Sequence, residues 1–251
     1  MQFIIVLFLS AILFFACKQE QQHGSPEHVK KVTASIDDAR LINADSTPGD
    51  WLSNGKNYAE NRYSTLEQIN KDNIKDLGLA WSYNLETNKG LEATPLVIDG
   101  IMYLSGPWSV VFAINAVTGQ LLWKYDPHVP GKYMEIACCD VVNRGVQVWE
   151  GKVYVGVLDG YLVCLNAESG VVEWRADTFI DRSRFYTITS PPQVAGNVVV
   201  IGNSGGEFGA RGYVTAYDLK SGKQAWRFFT VPGDPKKGIE HEELRKGSSW
   251  S

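Results

Sequence analysis

Two cysteines stand side by side in ACCDVVNRG, residues 137–145, in a chain that has four. Adjacent Cα atoms lie about 3.8 Å apart across a trans peptide, below the ~4.4–6.8 Å usual for a disulfide. A Cys138–Cys139 bridge would therefore be a strained ring, and strain of that kind is kept where function needs it. The plainer alternatives are a free pair or an adventitious oxidation product. Five residues on, Arg144 offers a planar, always-charged fork of donors that suits carboxylates. Further along, SGGEFGARGY (204–213) holds a carboxylate, Glu207, in a glycine-rich loop. A hard cation prefers such oxygens, although an acid in such a loop ordinarily faces solvent. Arg211 in the same loop reads as structural, paired to a nearby acid.

These residues have to be held by something, and the chain repeats itself around them. AINAVTGQLLWKYD (113–126), CLNAESGVVEWRAD (164–177) and AYDLKSGKQAWRFF (216–229) share one skeleton. Each has an apolar strand end, a turn with Ser or Thr before Gly, then three residues and a Trp. The glycines are Gly119, Gly170 and Gly222, and the tryptophans are Trp123, Trp174 and Trp226. Upstream of each lies a strand pair around a central glycine: PLVIDGIMYLS (95–105), VQVWEGKVYVGV (146–157) and PQVAGNVVVIGN (192–203). Alternating apolar residues about a glycine read as a hairpin. A repeat of roughly 50 residues with four strands is a propeller blade. The turn glycines suit a positive φ, and the tryptophans should dock between neighbouring blades, burying large apolar area.

The fold class is therefore all-β, a β-propeller of four-stranded blades. Three repeats are complete, and LGLAWSYNL (77–85) reads as a lone outer strand before the first. Closed propellers have roughly four to eight blades, so residues 50–251 read as the N-terminal part of a larger, truncated propeller. Cys164 falls in a strand, where it should be buried and inert. Trp108, in GPWSVV, has two readings, lining a substrate pocket or packing, and packing is favoured. Asp159 and Glu168 fall in turns and need no role.

The start of the chain is different. MQFIIVLFLSAILFFAC runs apolar from Phe3 to Ala16, short of the about 20 residues a spanning helix needs, and it suits a signal-peptide core. It stops at Ala16-Cys17, which resembles a bacterial lipoprotein signal (residues 1–17) with Cys17 as the lipidated residue; a plain secretory peptide or an anchor helix are the alternatives. Either implies export, where disulfides persist. Residues 18–49 are a tether and short helix, with 18 to about 35 flexible and a helix over Ile36–Ala44. A formal net charge of −4 gives no basic footprint for nucleic acid.

The docking repeat, GLEATPLVIDG, CCDVVNRG and SGGEFGARGYVTAYDLKSGKQAWRF together resemble the quinoprotein alcohol dehydrogenases, over roughly Asp50 to Pro235. DWLSNGKNYAENRYSTLEQIN is similar to the opening stretch of that family. The resemblance implies an eight-bladed propeller, periplasmic location, and pyrroloquinoline quinone (PQQ) as cofactor. It implies a Cys138–Cys139 disulfide lid over one face of the PQQ ring. Arg144 would contact the cofactor's oxygens, Thr189 and Ser204 would hydrogen-bond it, and Gly205 and Gly206 would approach it closely. Glu92 matches an in-plane glutamate. Glu207 matches a ligand of Ca²⁺, or of a lanthanide in some members. The implied reaction is hydride transfer from a small primary alcohol to the quinone, with electrons passed to a periplasmic cytochrome c or a membrane quinone, and attachment to the membrane through the lipid anchor. The general-base Asp, further metal ligands, a second Arg and a stacking Trp are expected beyond residue 251, and Trp250 is left unassigned. The 251-residue fragment is accordingly expected to have little or no dehydrogenase activity. No C-x-x-C-H haem motif occurs in the chain. The competing function is a non-catalytic propeller scaffold lipoprotein of the outer-membrane assembly type, and a degenerate gene product is a third.

Overall fold

The computed structural model describes residues 23–234, 236 and 238–247. The signal segment, Cys17 and Trp250 lie outside them. The strands form three four-stranded antiparallel sheets, each a meander in chain order. The first blade holds β1 (Leu96–Ile98), β2 (Ile101–Ser105), β3 (Val111–Asn115) and β4 (Leu121–Tyr125). The second holds β5 (Gln147–Trp149), β6 (Lys152–Gly156), β7 (Tyr161–Asn166) and β8 (Val172–Asp177). The third holds β9 (Gln193–Ala195), β10 (Val198–Gly202), β11 (Tyr213–Asp218) and β12 (Gln224–Phe229). The three-residue strands β5 and β9 approach each other and so mark the inner side of the blades.

Tryptophan docking is as the repeat implies. Trp81 Nε1 donates to Ala116 O at 2.9 Å, Trp123 Nε1 to Ala167 O at 2.9 Å, and Trp174 Nε1 to Leu219 O at 3.0 Å. Each ring lies over the turn glycine of the next repeat: a Cβ on Gly119, Gly170 or Gly222 would come within 2.6–2.7 Å of an indole carbon. Those glycines also hold φ between 65° and 76°, so both the contact and the conformation require glycine. Tyr103 and Tyr154 repeat the pattern two strands inward, donating to the same Ala167 and Leu219 carbonyls.

A register shift recurs at Ala113/Ile114, Cys164/Leu165 and Ala216/Tyr217, in the same place in every blade. The residues paired with the docking tryptophans are Ala113, Cys164 and Ala216. Cys164 therefore occupies a small-residue slot, fully buried, and burial pushes its thiol up to about 12. Its inertness follows.

Two stretches differ from the sequence reading. Residues 26–34, expected within a flexible tether, form helix α1 (Pro26–Ala34), capped by the Ser25 hydroxyl accepting from His28 N, with Pro26 opening it. Val29 and Val32 on α1, and Ile36 just beyond its end, are buried, a thin apolar stripe among polar residues. A second helix, α2 (Asp38–Ile42), follows. The α1 end docks on the β5–β6 turn, Thr33 O accepting from Gly151 N and Ile36 O from Glu150 N, both at 3.0 Å. The other difference is at 77–85, which joins no sheet, because among the described residues no strand lies beside it to complete a ladder. Trp81 docks all the same.

Meander parity sorts the loops. The connections β1–β2, β3–β4 and their counterparts fall at one end of the blades, with the docking glycines. The connections β2–β3, β4–β5, β6–β7, β8–β9 and β10–β11 fall at the opposite end, as does the segment entering β1. Every residue assigned a cofactor or metal role lies at this second end.

Candidate functional site

Arg144 is the centre of the arrangement. Its Nη1 donates to Thr189 Oγ1 at 2.6 Å and its Nη2 lies 2.9 Å from Glu92 Oε2. Its main chain is held as firmly: Arg144 N donates to Thr189 O at 2.9 Å, and Arg144 O accepts from Thr94 N at 3.2 Å. The β4–β5 loop, the β8–β9 loop and the segment before β1 thus meet on one guanidinium. Thr189 is buried, whereas Arg144 and Glu92 stay about two-fifths exposed and keep a face toward open space.

The thiol pair lies on the same β4–β5 loop. Cys138 and Cys139 are exposed, with their Sγ atoms 2.7 Å apart as free thiols. The ring implied by the resemblance is not closed here; closure would bring the sulfurs to about 2.05 Å. The Cys138 thiol is pushed up to about 12, first by its contact with Cys139, then by burial, then by its hydrogen bond to Glu207. That last contact joins the second blade's entry loop to the third blade's β10–β11 loop. Glu207 sits, exposed, in a 3-10 turn over Gly206–Phe208.

Ser204, Gly205 and Gly206 lead into that turn. Ser204 pairs with Thr187, its N–H donating to Thr187 O at 2.8 Å. Gly205 has φ 114°, and a Cβ there would strike Phe185 O at 2.2 Å, so no other residue fits. A Cβ on Gly206 would meet nothing within 4 Å; the surface beside it is open.

Four contributors went unread in the sequence. Asn54 Nδ2 donates to Arg144 O at 3.4 Å, and Arg62 Nη2 donates to Asn54 Oδ1 at 2.5 Å. Lys89 Nζ lies 3.1 Å from Asp140 Oδ1. Nothing in their spacing marks them, since long-range polar pairs have no period. Ser109 is a fifth, of another kind: its hydroxyl accepts from Asn143 Nδ2 at 3.1 Å and Leu158 N at 3.0 Å, and it is fully buried. Ser109→Ala should strip Leu158 N of its acceptor, leave Asn143 Nδ2 with Gly156 O alone, and destabilise the chain by about 1–3 kcal/mol. Urea titration checks this, and an unchanged midpoint would contradict it.

Trp108, next to Ser109, packs with Tyr133, Val141 and Leu158, as assigned, and sits at φ 62°. Arg211 is structural, forming a double contact with Glu240 at 2.6 and 2.8 Å, and the guanidinium holds the Glu240 carboxyl down to about 2. Asp159 lies in a turn, as read. Its side chain is buried, 3.6 Å from Arg175 Nη2, and burial raises its carboxyl.

The family described as "PQQ: Glucose/ethanol/alcohol dehydrogenase, beta-propeller domain" matches residues 51–251. The chain belongs to this PQQ-dependent dehydrogenase family. It is 55% identical over 222 residues to quinohemoprotein alcohol dehydrogenase ADH-IIG of Pseudomonas putida, covering 86% of this chain and 31% of that protein. The crystal structure of quinohemoprotein alcohol dehydrogenase from Comamonas testosteroni superposes with a TM-score of 0.86 at 49% identity, over 89% of this chain and 33% of that one. A europium-containing methanol dehydrogenase gives 0.73 at 38% identity, over 78% and 34%. The chain thus spans about a third of the length of these relatives.

The residues present suit a flat, multiply anionic quinone. A guanidinium and a threonine hydroxyl provide rim donors, two sulfurs provide a polarisable apolar wall, and Gly206 leaves the approach open. A metal is fitted only in part. A calcium-type ion takes about six to eight oxygen ligands, and the described residues hold no cluster of three or more His, Cys, Asp or Glu able to bind one. Glu207 can be one ligand of such a set.

Proposed function

We propose that this chain forms one wall of the cofactor site of a PQQ- and Ca²⁺-dependent alcohol dehydrogenase, a lanthanide being the alternative ion. The observation that carries this reading is Arg144, held by Glu92 and Thr189 from two other loops, on the same loop as the paired Cys138 and Cys139 sulfurs. When bound, PQQ supplies a quinone carbonyl able to accept hydride from an alcohol. Arg144 binds and orients the anionic rim, and Thr189 and Glu92 keep its fork in one plane. Cys138 and Cys139, closed as a disulfide in the exported protein, cover one face of the ring and exclude water from it. Gly205 and Gly206 let the backbone approach, Ser204 adds a hydroxyl donor, and Glu207 contributes a carboxylate to the cation.

The substrate is a small primary alcohol and the electron acceptor a periplasmic cytochrome c or a membrane quinone, which accords with relatives named as quinohemoproteins. Export, with lipidation at Cys17 holding the protein to the membrane, completes the proposal. A scaffold of blades alone would leave the Cys138–Glu207–Arg144 cluster without a purpose.

Alcohol-dependent dye reduction by the intact dehydrogenase, titrated with PQQ and Ca²⁺, tests the reading. Glu207→Gln should raise the Ca²⁺ needed for half-maximal rate by at least about 10–100-fold, the range already seen when mere supporting groups of metal sites are removed. An unchanged Ca²⁺ requirement would remove Glu207 from the ligand set, and PQQ-independent turnover would remove the cofactor.

A further inference from the structure

The segment that carries Glu92 touches the thiol loop twice, with charges in opposite order. Lys89 Nζ lies 3.1 Å from Asp140 Oδ1, and three residues on Glu92 Oε2 lies 2.9 Å from Arg144 Nη2. Asp140 directly follows Cys139, and its backbone pairs with that of Cys138. It is also at φ 64°, a left-handed conformation that Asp tolerates better than most residues but that persists only where the surroundings enforce it. The loop beyond it is anchored by Val141 O, which accepts from Trp108 N at 2.8 Å. On the side nearest the thiols the anchor is Lys89, whose other contact, Met134 Sδ at 3.7 Å, is on the same loop. The ammonium also holds the Asp140 carboxyl below the usual carboxylate range.

We propose that Lys89 is a positioning residue which, through Asp140, holds the Cys138 and Cys139 sulfurs in contact. The thiol wall of the cofactor site is thereby preorganised before any cofactor arrives. This rests on the reading of that wall given above, but its test needs no cofactor. Lys89 is about one-third and Asp140 about two-fifths exposed, so their pair adds little to global stability. Its effect should appear on the thiols.

The folded chain is equilibrated with mixtures of glutathione and glutathione disulfide, quenched by alkylation, and the peptide spanning Cys138–Cys139 is weighed. Closure forms the Cys138–Cys139 bond and breaks the bond of one glutathione disulfide; the two cysteine protons pass to the two glutathione thiols released. Readings are taken on molecules whose buried Cys164 stays unlabelled, so that only folded protein counts. Lys89→Met should lower the closure constant about two- to fivefold, the span of a partly exposed ion pair. Lys89→Arg should restore it, and about 1 M salt should shrink the difference. Asp140→Asn, which keeps the left-handed tolerance and removes the charge, should give the same shift, with the double variant no worse than either. Equal constants for Lys89→Met and wild type, failure of Lys89→Arg to restore, or additive single effects would each overturn the proposal. With no cofactor in the mixture, a missing shift counts against Lys89 alone and leaves the PQQ reading standing.

Discussion

Arg144→Ala should weaken PQQ binding about 10- to 100-fold, the loss expected for a charge-assisted hydrogen bond worth roughly 1.5–3 kcal/mol. The substitution removes the one guanidinium shared by Thr189 and Glu92. It also strands the Glu92 carboxylate beside an anionic ligand, so repulsion adds to the loss. Glu92→Gln in the same background should therefore recover part of the affinity. Arg144→Lys keeps the charge but loses the planar fork, and should recover less than half of the lost binding energy. Isothermal titration with PQQ reads all four proteins. Affinity unchanged in Arg144→Ala would take the cofactor away from this end of the blades.

Trp123→Ala should cost about 3–5 kcal/mol, the usual range for truncating a large buried aromatic. Trp123 is 8% exposed, donates to Ala167 O and covers Gly170. It therefore ties the first blade to the second through packing and one hydrogen bond at once. Trp226, its counterpart two blades on, is 46% exposed, with no further blade beside it among the described residues. Trp226→Ala should change stability by no more than about 0.5 kcal/mol. Urea unfolding of the two variants makes the comparison. Equal destabilisation would mean that the tryptophans act within their own blades, and the docking account would fail.

Much of this architecture was legible because a strand repeat leaves a covalent record. Gly119, Gly170 and Gly222 must be glycine for conformation and for contact, so their spacing advertises the blades directly. Cys164 was readable as inert from its strand, and only the structure revealed its small-residue slot opposite Trp174. Helix α1 leaves little trace in the sequence because its buried apolar positions, Val29 and Val32, are a thin stripe between polar residues. The segment 77–85 was overread for the opposite reason. Its composition suits a strand, but a strand exists only with a neighbour to bond.

Within the site, identity and arrangement came from different sources. The unusual residues, a vicinal thiol pair, an arginine five positions on and an acid among glycines, were visible in the chain because each is rare in its local setting. What the sequence alone settled was therefore the repeat, the blade count within it and the chemistry on offer. Folding alone decided which groups meet: Glu207 beside Cys138, Lys89 on Asp140, Arg62 behind Asn54, and a Ser109 hydroxyl between two loops. Strand turns and ring docking act over a few residues and repeat, so they imprint a period. Contacts between loops of different blades join residues tens of positions apart with no period at all, and three-dimensional closure is what brings them within bonding distance.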